Sequence, residues 1–164
     1  MKRFWLFLLL AGAFMSCAPA ELKTNRNASG FATGQVIATR GLLVNEIDGA
    51  LGKTFKTKLI YELNKRGFTA IDTSSSSSNK ADFEVLGEVK AEKKTVDLGT
   101  VNGVPQTISD GSYVLRDVQL QILQRKDKKT ARVYNLNLNS SNITLSDVAR
   151  MFAERIKIDF KPVL

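Results

Sequence analysis

The chain predicts an α+β domain: a largely antiparallel sheet of about four strands with two helices packed on one face, preceded by a signal peptide and a short tether. Three observations point there. Two segments, 44–63 and 148–160, repeat apolar residues every three or four positions, the period of a helix with one buried face. Three others, 82–91, 113–124 and 130–139, alternate apolar and polar residues, the period of a half-buried strand. Turn-forming sequences join the strands, which suits hairpins rather than long crossovers.

The first sixteen residues read as a leader. Lys2 and Arg3 are followed by an almost unbroken apolar run from Phe4 to Phe14, too short for a stable transmembrane helix. Ser16 and Cys17 come next, and Cys17 is the chain's single cysteine. A small residue and a lone cysteine after such a run resemble the lipobox of bacterial lipoproteins. That resemblance implies cleavage before Cys17 and acylation of its thiol and new amino group. Ala18-Pro19-Ala20 offers the other reading, ordinary cleavage after Ala20 and a soluble periplasmic or secreted product. The absence of aspartate after Cys17 favours the outer membrane as the site of a lipid anchor, on its periplasmic face.

Residues 17–33 are small and polar and read as the lipidated end and tether. Residues 34–164 read as one domain. Gln35–Thr39 is a short β-prone segment. In the first helix Val44, Ile47, Leu51, Phe55, Leu59 and Leu63 share a face, Asn45 caps the start and Gly67 ends it. Gly49 and Gly52 then weaken its first turns by about 1 kcal/mol each. Phe68–Ile71 is a short strand, and Thr73–Lys80 a serine-rich loop. Strand character continues from Asp82 through Leu98. Asn102-Gly103 between two valines is a hairpin turn, because a type I′ turn needs positive φ at both centres. The long strand Tyr113–Gln124, a charged turn and the strand from Thr130 to Asn139 follow. Thr144 or Ser146 caps the last helix, Val148, Phe152, Ile156 and Phe160 form its buried stripe, and Pro162 stops it.

The 164 residues include 24 Lys+Arg, 16 Asp+Glu and no histidine, for a net charge of +8. Without histidine, Ser-His and Cys-His nucleophile pairs and the common zinc sites are excluded. No phosphate-binding glycine loop is present. Asp82, Glu84 and Glu88 alternate along one strand, where solubilising carboxylates are commoner than a glycosidase pair. The expectation is a protein without enzymatic activity, cofactor, metal or nucleic-acid partner. The remaining chemistry is basic. Lys90, Lys93 and Lys94 leave one strand, and Arg125, Lys126, Lys128, Lys129 and Arg132 cluster around a turn. Brought together, they would form a rim for a phosphorylated glycolipid. Kept apart, they guard strand edges against aggregation.

The order of elements resembles LptE, the lipoprotein of the lipopolysaccharide transport machinery. The likeness rests on Gly49-Ala50-Leu51-Gly52, on Leu63-Asn64-Lys65-Arg66-Gly67-Phe68, on Ala81–Gly87, on the strand from Tyr113 and on the closing helix. It implies a lipid-anchored domain lodged in an outer-membrane β-barrel and binding lipopolysaccharide or another anionic envelope lipid. The same order is also similar to envelope lipoproteins that act by protein docking: peptidoglycan-synthase activators of the LpoB kind, and CsgG-like or TolB amino-terminal domains. The sequence offers no evident long amphipathic insertion of the kind that forms a pore in the CsgG type.

Overall fold

The structure, a computed structural model, describes residues 22–25, 31–32, 34–75, 80–138 and 143–163. Cys17 and the leader lie outside the described residues. The elements in order are β1 (Leu22–Asn25), β2 (Ile37–Thr39), β3 (Leu42–Asp48), α1 (Gly52–Lys65), β4 (Ala70–Asp72), β5 (Phe83–Val101), β6 (Val104–Gln124), β7 (Thr130–Asn137), α2 (Leu145–Asp159) and β8 (Phe160–Pro162). Six strands form one sheet in the order β1-β7-β6-β5-β3-β4, and β2 pairs with β8 in a separate two-stranded sheet.

The α+β class holds, but the expected four-stranded, largely antiparallel sheet is replaced by a six-stranded mixed one. β3 runs parallel to both β4 and β5, while β1, β7, β6 and β5 pair antiparallel. The first helix begins later than expected. Leu42–Asp48 is a buried strand, and α1 starts only at Gly52. The false signal has a physical source. Val44 and Ile47 are three residues apart and both buried, which imitates a helical face. In the strand they reach the same side because the register slips between them, where β3 pairs with β5. Part of the expected tether is also structured, since Leu22–Asn25 pairs with Val133–Leu136 as the edge strand β1. Phe160 leaves α2 for β8 yet stays in the core, with its ring edge-on to Phe83 at 5.3 Å.

Residues paired across a sheet share a face. The registers place Leu42, Val44, Phe83, Val85, Val118, Leu120, Ile122, Tyr134 and Leu136 on one side, all nearly inaccessible. Both helices lie on that side. Phe55 of α1 meets Phe152 of α2 edge-on at 5.9 Å, and Phe152 in turn meets Tyr134 at 6.4 Å. α2 begins with a full capping box, in which the Thr144 hydroxyl accepts from the Asp147 amide and Asp147 accepts from the Thr144 amide. α1 has no side-chain cap and starts where β3 turns back over Gly49.

The core holds a few polar groups, and apart from the Nε of Arg132, which has no hydrogen-bond partner among the described residues, they are tied down. The Tyr134 hydroxyl donates to Asp159 at 3.0 Å, and burial pushes its phenol up, away from ionisation. Lys56 is buried between Glu46 at 3.6 Å and Asp72 at 3.1 Å. The backbone amide of Ser74 and the ammonium of Lys56 hold the Asp72 carboxyl down at about 2.

Candidate functional site

Helix length limits how much of a strand can be covered. A helix of 14 residues is about 21 Å long, the span of about six strand residues. β5 and β6 have 19 and 21 residues, so they overrun the helices. Every residue from Glu92 to Tyr113 is exposed, and the two strands leave the body as a hairpin arm. The turn at its tip is the one the sequence predicts: Asn102 and Gly103 both have positive φ, 54° and 78°, between the paired Val101 and Val104.

The arm has two unlike sides. Val96 and Ile108 are directly paired, and Leu98 follows on the side of Val96. They are 47%, 55% and 57% exposed. The opposite side carries the pairs Thr95 with Ser109 and Asp97 with Thr107. From Thr95 to Ser109 there is no lysine or arginine, and Asp97 is the only ionisable residue. Exposed hairpins are commonly protected by charge, lysine above all. This one is not, although the chain is strongly basic.

The helix-free face of the sheet carries a second apolar surface. Leu43 pairs with Ile71 on one flank and with Glu84 on the other, and Glu84 pairs with Leu123. Leu86 lies two residues beyond Glu84 on the same side. Leu43 and Glu84 are buried, while Ile71, Leu86 and Leu123 are half-buried. None of these four leucine and isoleucine residues belongs to the core beneath the helices. Glu84 accepts from Lys128 at 2.8 Å and from the Asn45 amide at 3.3 Å.

The basic residues nominated by the sequence do not form one rim. β5 and β6 are neighbours, as that rim requires, but one cluster lies at the end of the pair and the other near the middle of β5. The turn after β6 sits beside Phe83, whose partner is Gln124. Lys90 and Lys94 are seven and eleven residues further along β5, about 23 and 36 Å away. Within the turn Lys128 is committed to Glu84 and Lys129 to Asp127, at 2.8 and 3.2 Å. Arg125 donates to the Ala81 carbonyl at 3.0 Å. Lys126 is exposed and lines an open cleft of about 490 Å³ that also includes Arg125, Phe31 and the ion pair of Arg40 with Asp82. Arg132 is not at the surface. It is 1% exposed, donates to the carbonyls of Ala131 and Gln35 at 2.7 and 2.8 Å, and ties the segment before β2 to β7.

On β5 the other cations alternate with acids. Lys90 lies 3.6 Å from Glu88, and Glu92 accepts from Arg116 of β6 at 2.8 Å. Lys93 lies opposite Tyr113. Hydrogen bonds from Ser112, aided by the nearby Lys94 charge, hold the Asp110 carboxyl below its usual range. Among the described residues no group of three His, Cys, Asp or Glu could hold a metal ion, and no helix is long and apolar enough to cross a membrane.

No protein-family model matches the chain, and no curated protein matches it. Solved structures do, with twenty chains matching. The PelC dodecamer from Paraburkholderia phytofirmans, in space group P6, is similar at 14% identity with a TM-score of 0.54. The match covers 88% of this chain and 99% of that one. A single-substitution variant of that dodecamer, in space group C2, gives 14% identity, a TM-score of 0.53 and coverage of 86% and 99%. A PDZ domain protein from Parabacteroides distasonis matches at 16% identity and a TM-score of 0.46, over 85% of this chain and 35% of that one. At these identities the likeness is one of fold.

Proposed function

We propose that the protein is an exported, lipid-anchored envelope component that works without catalysis, as an assembly of several copies of itself. The observation that carries this reading is the arm. A β-hairpin that holds Val96, Leu98, Val101, Val104 and Ile108 in water, with no lysine or arginine from Thr95 to Ser109, is built for a partner. The fold supports the choice of partner, because the similar PelC is a dodecamer and the match spans 99% of its chain. The leader and Cys17 support export and anchoring. The lack of histidine removes the commonest catalytic base.

This reading takes the protein-docking side of the two family resemblances. The glycolipid side drew on cations converging in one place, and they do not converge. A test is to extract the full-length protein from its native envelope in mild detergent and measure its mass. A multiple of the chain mass, with no other protein in stoichiometric amount, is expected. A single copy bound to a large outer-membrane β-barrel would replace this reading with the translocon one. A bare monomer would end both.

A further inference from the structure

We infer that two copies of this chain pack helix-free face to helix-free face, related by a two-fold axis beside Ala91, with each arm lying over the sheet of the other copy. The inference rests on the self-assembly reading above and specifies its contact. Along β5 the side chains on the helix-free side are Glu84, Leu86, Glu88, Lys90, Glu92, Lys94, Val96 and Leu98, every second residue. The register shifts next to Lys90 and Lys93 insert their extra residues into β6, so this alternation on β5 is unbroken as far as Asp97; the next shift, between Asp97 and Thr100, puts its extra residue into β5 just after Leu98 is reached.

That row is complementary to itself when reversed. A two-fold beside residue 91 sets Leu86 against Val96 of the second copy, Glu88 against its Lys94, and Lys90 against its Glu92. From Leu86 to Val96 apolar meets apolar and every charge meets the opposite sign; the outermost pair sets Leu98 against Glu84, whose carboxylate is already held by Lys128 of its own chain. The arm's Val96, Leu98 and Ile108 then cover the second copy's Leu86 and Leu123, the apolar surface that no helix covers. Packed sheets of this kind lie about 10 Å apart with their strands nearly aligned. Within one chain the two surfaces cannot meet, because arm and face are parts of the same continuous strands.

A lipid bilayer is the other apolar partner to weigh, and length decides against it. The longest uncharged stretch on either arm strand is Val104–Ser109, about 20 Å fully extended. Tilted by ~45° it would cross about 14 Å, against an apolar band of about 25 Å in membrane barrels. A two-fold contact also buries each surface once per copy and requires an even number of copies in the assembly.

The test uses charge reversal in the full-length, detergent-extracted protein. Glu88→Lys places lysine against Lys94, and Lys94→Glu places glutamate against Glu88. Each variant alone is expected to lose the contact, with association weakened at least tenfold and its melting temperature as a monomer unchanged. Mixing the two variants restores opposite signs at both copies of the contact, so a heterodimer is expected to form. This recovery separates a lost contact from a lost fold. Single variants that keep the wild-type mass, or a mixture that fails to recover it, would overturn the two-fold contact and leave self-assembly standing. A monomeric wild-type protein would remove both.

Discussion

Gly52→Ala is expected to destabilise the domain by about 3 kcal/mol or more, a large share of the ~5–15 kcal/mol that holds an ordinary domain together. A methyl group at this position would lie 1.8 Å from the carbonyl oxygen of Ile47 and 2.7 Å from its carbon. Both are backbone atoms of the strand that turns back over the helix start, and they cannot move without moving β3. Gly49, in the same turn, has φ +101° and brings the backbone equally close to Val89 of β5. Gly67→Ala provides the contrast. It has φ +88° but nothing within 4 Å, so only the cost of the left-handed backbone applies, about 1–2 kcal/mol. Urea unfolding of the two variants checks this. Equal midpoints would mean that the β3–α1 crossing is wrongly placed.

These glycines mark where the sequence misleads. Read as a helix, Gly49 and Gly52 are weak points. In the fold they are the residues that allow a strand to reverse into a helix at close quarters. The helical spacing of Val44 and Ile47 came from a bulge, and a bulge leaves no local signature in a row of apolar residues. Periodicity could not find the parallel neighbours of β3 either, since β3 joins β4 and β5 through residues distant in sequence. What local chemistry determines was legible: the Asn102-Gly103 turn, the Thr144 cap, and the stripe of Val148, Phe152 and Ile156.

The arm was half legible. Its alternation and its turn are visible in the sequence. Its exposure follows only when strand length is compared with helix length. Val96, Leu98 and Ile108 were therefore missed as functional residues, although the absence of lysine from Thr95 to Ser109 was a usable signal. The misplaced basic rim has the opposite cause. Adjacency of two strands suggests that their charged residues converge, but in a long hairpin Lys90–Lys94 stand several residues along β5 from the turn that carries Arg125–Lys129.

Cys17→Ser has the other large expected effect, a shift of the protein from the membrane to the soluble fraction. The proposed acylation at the thiol and the new amino group would supply more than one chain, with each buried methylene contributing about 0.8 kcal/mol. Without the thiol this contribution is lost entirely. The alternative cleavage after Ala20 removes residue 17 before it can matter, so the variant would then behave like the wild type. Fractionation of the envelope distinguishes the two. The released Cys17→Ser protein is also expected to remain assembled, because the proposed contact lies between protein faces and not in the lipid.

The most direct measurement is the distance between copies in the native envelope, from spin labels on single cysteines. A label at Lys90→Cys lies beside the proposed two-fold, and its counterpart in the second copy should be near, at about the 10 Å spacing of packed sheets plus the label arms. A label at Asn102→Cys sits at the arm tip, eleven residues from the axis in each copy, so the two tips should be about 70 Å apart. A short distance at Lys90 together with a long one at Asn102 is the expected result. Tips close together would mean that the arms run side by side, and no coupling at Lys90 would mean that these faces do not meet; either would contradict the two-fold assembly.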